Sequence, residues 1–385
     1  MSYINMKMLT KNVNLDAQCL VSMCRVRIIE SRENNRRQTV TIRVQPTQDT
    51  QRRAARRLES TLKRTFKRTF RRTACQAAVV ALGLAGATTG HATESALGRP
   101  VAGTSVLTGV GEVPPAGIYV VNIEDIYLDG SISGSRTVPL NGKASLGIDA
   151  KINFTLASIL RGWGSLGGWS FASGITVPYM WTEVTGTASV GRFGNSTTQT
   201  ASNFYDLYFT PIEAGYSFSA NSHIALSFNF WAPTGSYNSS ALANTSLNNW
   251  TFVPQVAWTQ LVPEYGLEFD VVAGLQFYTR NHATDYQNGT LFTLDALALK
   301  RFANGVGVGV VMGTVQQLAD DTGPLADRLN GFRGHDFSLG PIITYDTKLG
   351  GKAPFSASLR WVPSIASTNR LKSTSTVMAT ATLAF

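Results

Sequence analysis

Three histidines follow residue 92 (His223, His282 and His335), and they are the natural first candidates for chemistry in this chain. None stands in a His-x-x-His or carboxylate-rich spacing, so the three or four converging ligands of a zinc site are missing. His282 lies near Asp285, and His335 is beside Asp336. A Ser/His pair acting on lipid is the enzymatic alternative, yet no serine occupies a recognisable nucleophile motif. The pattern predicts no catalytic residue, no metal site and no cofactor. All three cysteines (Cys19, Cys24 and Cys75) precede residue 93, so the remainder carries no disulfide framework. That usage suits an oxidising compartment.

A second set of polar residues is defined by its spacing. Asp149, Lys151, Asn153 and Thr155 alternate with Ile148, Ala150, Ile152, Phe154 and Leu156. Glu268, Asp270 and Gln276 alternate with Phe269, Val271, Leu275 and Phe277. Side chains of a strand point alternately to its two faces, so these polar residues share faces, as do Asp206, Asp336 and Arg360 on strands of their own. Facing lipid at mid-depth, Lys or Arg would cost roughly 2–4 kcal/mol, and Asp or Glu less. All ten are therefore expected to line an interior, either as a salt-bridged plug or as a narrow hydrated path.

The elements that must position them are strands. No segment after residue 92 has the 18 or more consecutive apolar residues of a membrane-spanning helix. Period-2 alternation recurs instead, and predicts twelve strands near 118–128, 144–158, 167–181, 203–218, 221–232, 249–262, 265–279, 290–302, 304–317, 334–347, 353–363 and 373–385. The connections after odd-numbered strands are long and polar (129–143, 182–202, 233–248, 280–289, 318–333 and 364–372). Those after even-numbered strands are brief, except 159–166. A soluble β-sandwich shares the alternation but not this rhythm. Long loops at one end, short turns at the other and an even count predict an all-β, antiparallel transmembrane β-barrel of the outer-membrane type. Hydrocarbon demands such closure, because every backbone polar group needs an internal partner. A twelve-strand barrel is only moderately wider than the roughly eight-strand size that side chains fill. Aromatics near strand ends (Tyr179, Trp181, Tyr205, Trp231, Trp250, Tyr278, Tyr345 and Trp361) suit interfacial girdles.

The net charge of +10 invites a nucleic-acid partner, but its location argues against one. Residues 1–92 hold 18 Lys+Arg and 5 Asp+Glu, whereas residues 93–385 hold 16 and 19. The basic run Leu62–Arg72, the apolar stretch Ala77–Ala87 and small residues before a cut at Ala92 have the order of a secretory signal peptide. The expected domains are an unstructured or mis-annotated extension at 1–60, with the true start nearer Leu58 or Leu62, then a signal peptide at 61–92. A periplasmic tail or plug at 93–117 and the barrel at 118–385 follow. The final strand alternates through Val377, Ala379, Ala381 and Leu383 to Phe385. Ending on Phe385 resembles the signal read by the outer-membrane assembly machinery, which with outer-membrane lipid makes up the expected partners.

Five motifs follow one another along the chain: Asp206-Leu207-Tyr208-Phe209-Thr210-Pro211, Ala232-Pro233-Thr234-Gly235-Ser236-Tyr237, Asn281–Gly289, Gln316–Asp321 and Arg333–Pro341. In this order they resemble the outer-membrane family named for the meta pathway of phenol degradation. The likeness spans 112–385. It implies a barrel associated with catabolism of aromatic or other hydrophobic compounds, and so a small hydrophobic or aromatic ligand taken up passively. It supplies no established site. Among these motifs Asn281, Asp285, Tyr286, Asp320 and Asp321 are candidate external-loop contacts, although turn-forming roles are favoured about two to one. A structural or adhesive barrel with a blocked lumen, and a lipid-active enzyme, are the alternatives.

Overall fold

A computed structural model describes residues 24–29, 41–46, 98–138, 142–190, 193–329 and 331–385. The expected signal peptide, its cleavage at Ala92 and the start near Leu58 or Leu62 lie outside the described residues. Two compact units are present, divided between Ala78 and Val79. In the first, β1 (Cys24–Ile29) and β2 (Thr41–Pro46) form an antiparallel hairpin in which Val26 is opposite Val44 and Ile28 opposite Ile42. This hairpin lies within the span 1–60 that was expected to be an unstructured or mis-annotated extension. Each run is six residues, too short for its alternation to stand out in sequence.

The second unit is the barrel. Its first strands are β3 (Tyr119–Val138), β4 (Gly142–Leu166), β5 (Trp169–Val190), β6 (Phe193–Phe204), β7 (Leu207–Ser219), β8 (Ser222–Ala232) and β9 (Thr251–Val262). They are followed by β10 (Leu267–Tyr278), β11 (Leu291–Arg301), β12 (Val306–Gln317), α1 (Pro324–Arg328) and β13 (His335–Leu349). The chain ends with β14 (Ala353–Trp361), β15 (Ser364–Thr368), β16 (Lys372–Ser373) and β17 (Val377–Ala384). Neighbours pair antiparallel from β3 through β4, β5 and β7 to β14, and β17 closes the ring on β3. Twelve strands complete the circle, and β6, β15 and β16 extend its outer wall. At the seam, Tyr119 and Phe385 exchange both backbone hydrogen bonds, at 2.8 and 2.9 Å.

Two expected connections are strand instead. Residues 129–138 pair with 142–151, and 182–190 pair with 193–201, so the first two long loops are tall hairpins. Their Ser, Thr and Gly residues read as loop, yet they alternate and bond across the pair, as Thr185 and Thr198 do at 2.8 Å. Residues 159–166 likewise belong to β4, and the turn is Gly167-Gly168, with φ +59° and +85°. Positive φ at both central residues gives the tight hairpin turn that glycine permits. Every turn at that end is therefore short.

Apolar outward faces follow from this closure. Phe252, Trp258, Phe269, Phe277, Leu339 and Leu359 are exposed to the surroundings, while their strand neighbours turn inward. Exposed aromatics gather at both ends of the wall, with Trp163, Phe218, Tyr265, Phe302 and Phe385 at the short-turn end. Tyr127, Tyr179, Phe204, Trp250 and Trp361 stand toward the other.

Candidate functional site

Residues 98–118 thread the barrel from the long-loop end to the short-turn end. The Gly/Pro content bars them from the strand ladder, so their buried N–H and C=O groups need side-chain partners. The wall supplies them. Asp295 accepts from the N–H of Gly103 and Ser105, each at 2.8 Å. Glu268 accepts from Gly109 at 2.9 Å, and Thr259 from Gly111 at 2.9 Å while donating to Asp270 at 2.5 Å. Arg360 donates to the carbonyls of Gly103 and Val106 and pairs with Glu124. Arg370 donates to Pro100 at 2.7 Å.

Glycines on the wall make room for this chain. A Cβ at Gly313 would strike the Gly103 backbone, and one at Gly162 would strike the carbonyls of Pro114 and Pro115. The lower end is sealed by backbone bonds from Gly117 to Gly162 and from Gly162 to Ile118, at 2.8 and 2.9 Å.

The upper end is fixed by Arg99. Its guanidinium pairs with Asp206 at 2.9 Å and donates to Thr251 at 2.6 Å and to the Asn249 carbonyl at 2.7 Å. It also lies 5.7 Å from the centre of the Tyr205 ring and 5.2 Å from that of Trp231, within cation–π range. Tyr205, Trp231 and Tyr278, expected at the lipid interface, therefore turn inward. Asp206 further accepts from Ser246 at 2.7 Å, Gly235 at 3.0 Å and Leu247 at 3.2 Å, drawing the 233–250 loop over the mouth.

Not every residue expected inside is there. Glu268, Asp270, Gln276, Asp336 and Arg360 are buried on inward faces, and Asp206 is buried at the mouth. Asp149, Lys151, Asn153 and Thr155 stand on the outward face of β4, opposite the expected side. Ala150 and Ile152 are the buried ones, packed with Leu128, Met180 and Val184. The reason is height. Thr155 is about 28 Å above the Gly167-Gly168 turn by the rise and tilt of such strands, past an apolar band of about 25 Å. From there outward, polar groups meet water: Lys151 pairs with Glu183 at 3.0 Å, and Asn153 and Thr155 donate to Asp125 at 3.0 and 2.9 Å. The apolar face is then free to turn inward.

The external-loop candidates also divide. Asn281, Tyr286 and Asp321 are buried and tie loops together, which corrects their reading as exposed contacts. Tyr286 donates to Asp321, which also accepts from Gly289 and Gln317, both at 2.7 Å. Asn281 accepts from Asn248 at 2.9 Å. Burial raises the Asp321 carboxyl above its usual range, against these donors. Asp285 and Asp320 are exposed and pair with Arg280 at 2.6 Å and Arg333 at 2.9 Å. Among the described residues no group of three or more His, Cys, Asp or Glu could hold a metal ion.

Sequence reasoning missed Arg99, Glu124, Asp295 and Arg301. Asp295 sits in a strand apolar on both faces, and Glu124 beside Asp125 gave no clue which of the two turns inward. Arg301, which pairs with both Glu268 and Asp346, ends its strand. Arg99 alone carried a signal, as a lone cation in a Gly/Pro-rich segment.

This architecture has relatives. Residues 131–379 match the family model described as "Putative MetA-pathway of phenol degradation". The chain belongs to that family. In fold it is similar to the COG4313 outer membrane channel from Pseudomonas putida F1, with 15% identity and a TM-score of 0.55 over 73% of this chain and 100% of that one. A Pseudomonas aeruginosa FadL homologue aligns at 10% identity and a TM-score of 0.35 over 77% of this chain and 97% of that one, too distant to bear on the argument. No curated protein matches the family member described here.

Proposed function

We propose that this protein is a passive channel in the outer membrane of a Gram-negative bacterium, exported through a cleaved signal peptide, that admits a small hydrophobic or aromatic compound. One observation carries the reading. Above the membrane the apolar faces of β3, β4 and β5 turn inward, where Ile132, Ile148, Ile152 and Val184 meet Leu242, Ala243 and Leu247 of the inward-folded loop. Packed against one another at the mouth of a water-exposed hairpin wall, these side chains keep water out, and a nonpolar solute that parts them gains by leaving water. The fold likeness to an outer membrane channel and the family's association with phenol degradation support the same direction.

Below that mouth the wall carries charges of both signs, with Glu124 paired to Arg360 and Glu268 to Arg301, so the path is not lined by one sign of charge. The experiment is uptake of aromatic and aliphatic substrates by a deletion strain and its complement. Faster uptake in the complement supports the channel, and equal uptake across all substrates contradicts it.

The packed contacts of residues 98–118 favour a second reading, a structural barrel with a blocked lumen. It shares every wall feature, and it is the reading that unchanged uptake would leave standing.

A further inference from the structure

The wall of the barrel does not end level. β3, β4, β5 and β6 continue outward as a four-stranded blade, and its last strand has an open edge. β6 pairs with β5 from Phe204 to Phe193, and among the described residues no other strand and no loop backbone bonds to the main chain of β6. Such an edge is a template for another strand, and proteins ordinarily guard it with Lys, Pro, a bulge or a cover. β6 has none of these guards. Its sequence, Phe-Gly-Asn-Ser-Thr-Thr-Gln-Thr-Ala-Ser-Asn-Phe, contains no charge and no proline, and its register with β5 has no shift. Residues 194–200 are exposed on both faces. The 233–250 loop reaches inner side chains of β6, through Leu242 N–H to Gln199 at 2.7 Å and Asn203 to Ser236 at 2.9 Å.

We infer that β6 is a homotypic docking edge, whose occupant is β6 of a second copy presented from a facing membrane. Charge selects a copy of itself: a strand without charge meets its own image without like-charge repulsion. Chemistry agrees, because a two-fold centred on Thr198 sets Thr197 opposite Gln199 and Ser196 opposite Thr200. Hydroxyl pairs already join this blade, at Thr185–Thr198 (2.8 Å) and Ser145–Ser189 (2.7 Å). Direction selects the facing membrane. β6 descends toward its own membrane in every copy on one surface, and only a copy from the opposite surface runs antiparallel to it. The contact is isologous and closes on itself as a pair. It is independent of permeation.

Proteoliposomes of the full chain test this by light scattering. Wild-type vesicles are expected to cluster. Thr198→Lys alone and Thr198→Glu alone are each expected to disperse them, since like charges then oppose across the two-fold. Mixing the two populations is expected to restore clustering, which a folding defect could not produce. Dispersed wild-type vesicles, clustering of T198K as strong as wild type, or no recovery on mixing would each overturn the inference. Cross-linking of β6 within single vesicles that never cluster would overturn it too, in favour of side-by-side pairing.

Discussion

Arg99 and Asp206 form an ion pair at 2.9 Å, with side chains 1% and 0% exposed, that fastens the outer end of the threaded segment to the loop cluster at the mouth. Removing one partner of a buried pair leaves the other charge uncompensated, at a cost of roughly 3–5 kcal/mol. Asp206→Asn is therefore expected to free the segment near Arg99 while the barrel stays folded. Limited proteolysis should cut near residue 99 faster than in wild type, with an unchanged heat-modifiable band on gels.

Arg360 and Glu124 test the same principle deeper in the barrel. Arg360→Met should destabilise by several kcal/mol, because it strands Glu124 and two plug carbonyls. The double variant with Glu124→Leu should recover most of the thermal stability, since no charge is left unpaired. Thermal unfolding in detergent reads both. A double variant no more stable than the single would contradict the assignment.

The strand count, the closing strand and most inward faces were legible because a membrane enforces period-2 order and short turns wherever lipid is. The legibility ended where lipid does. Lys151 and Asp149 stand past the apolar band, so the rule that charge must face inward no longer binds them. The choice between a tail and a plug for the segment before β3 was illegible for a different reason: the groups it offers the wall are main-chain N–H and C=O, which leave no mark on the sequence. Gly313 and Gly162, which admit it, look like any other strand glycine.

Those glycines yield a prediction of their own. Gly313→Val places a side chain against Gly103, and Gly162→Val one against Pro114 and Pro115. Each is expected to displace the segment without opening the ladder. Hydrogen exchange of the amides of Gly103 and Ser105 should speed at least tenfold in Gly313→Val, while those of β10 and β11 stay protected.

Asp321 predicts a pH response of the outer loops. Its carboxyl is raised by burial above the unfolded value of 3.8. Its stabilising contribution is thus fully present below that value and is lost as pH rises through the folded pKa. Exchange of the amides around Gly289 and Asp321 should accelerate across that window, and Asp321→Asn should flatten the profile.

The apolar mouth is expected to admit a small apolar solute, which the initial rate of labelled toluene uptake by intact cells measures. A deletion strain carrying the wild-type gene should take up toluene faster than the deletion strain. Leu242→Asp, which places a charge on the apolar lining, should return the rate toward that of the deletion. Equal rates in the deletion and wild-type strains would contradict the account.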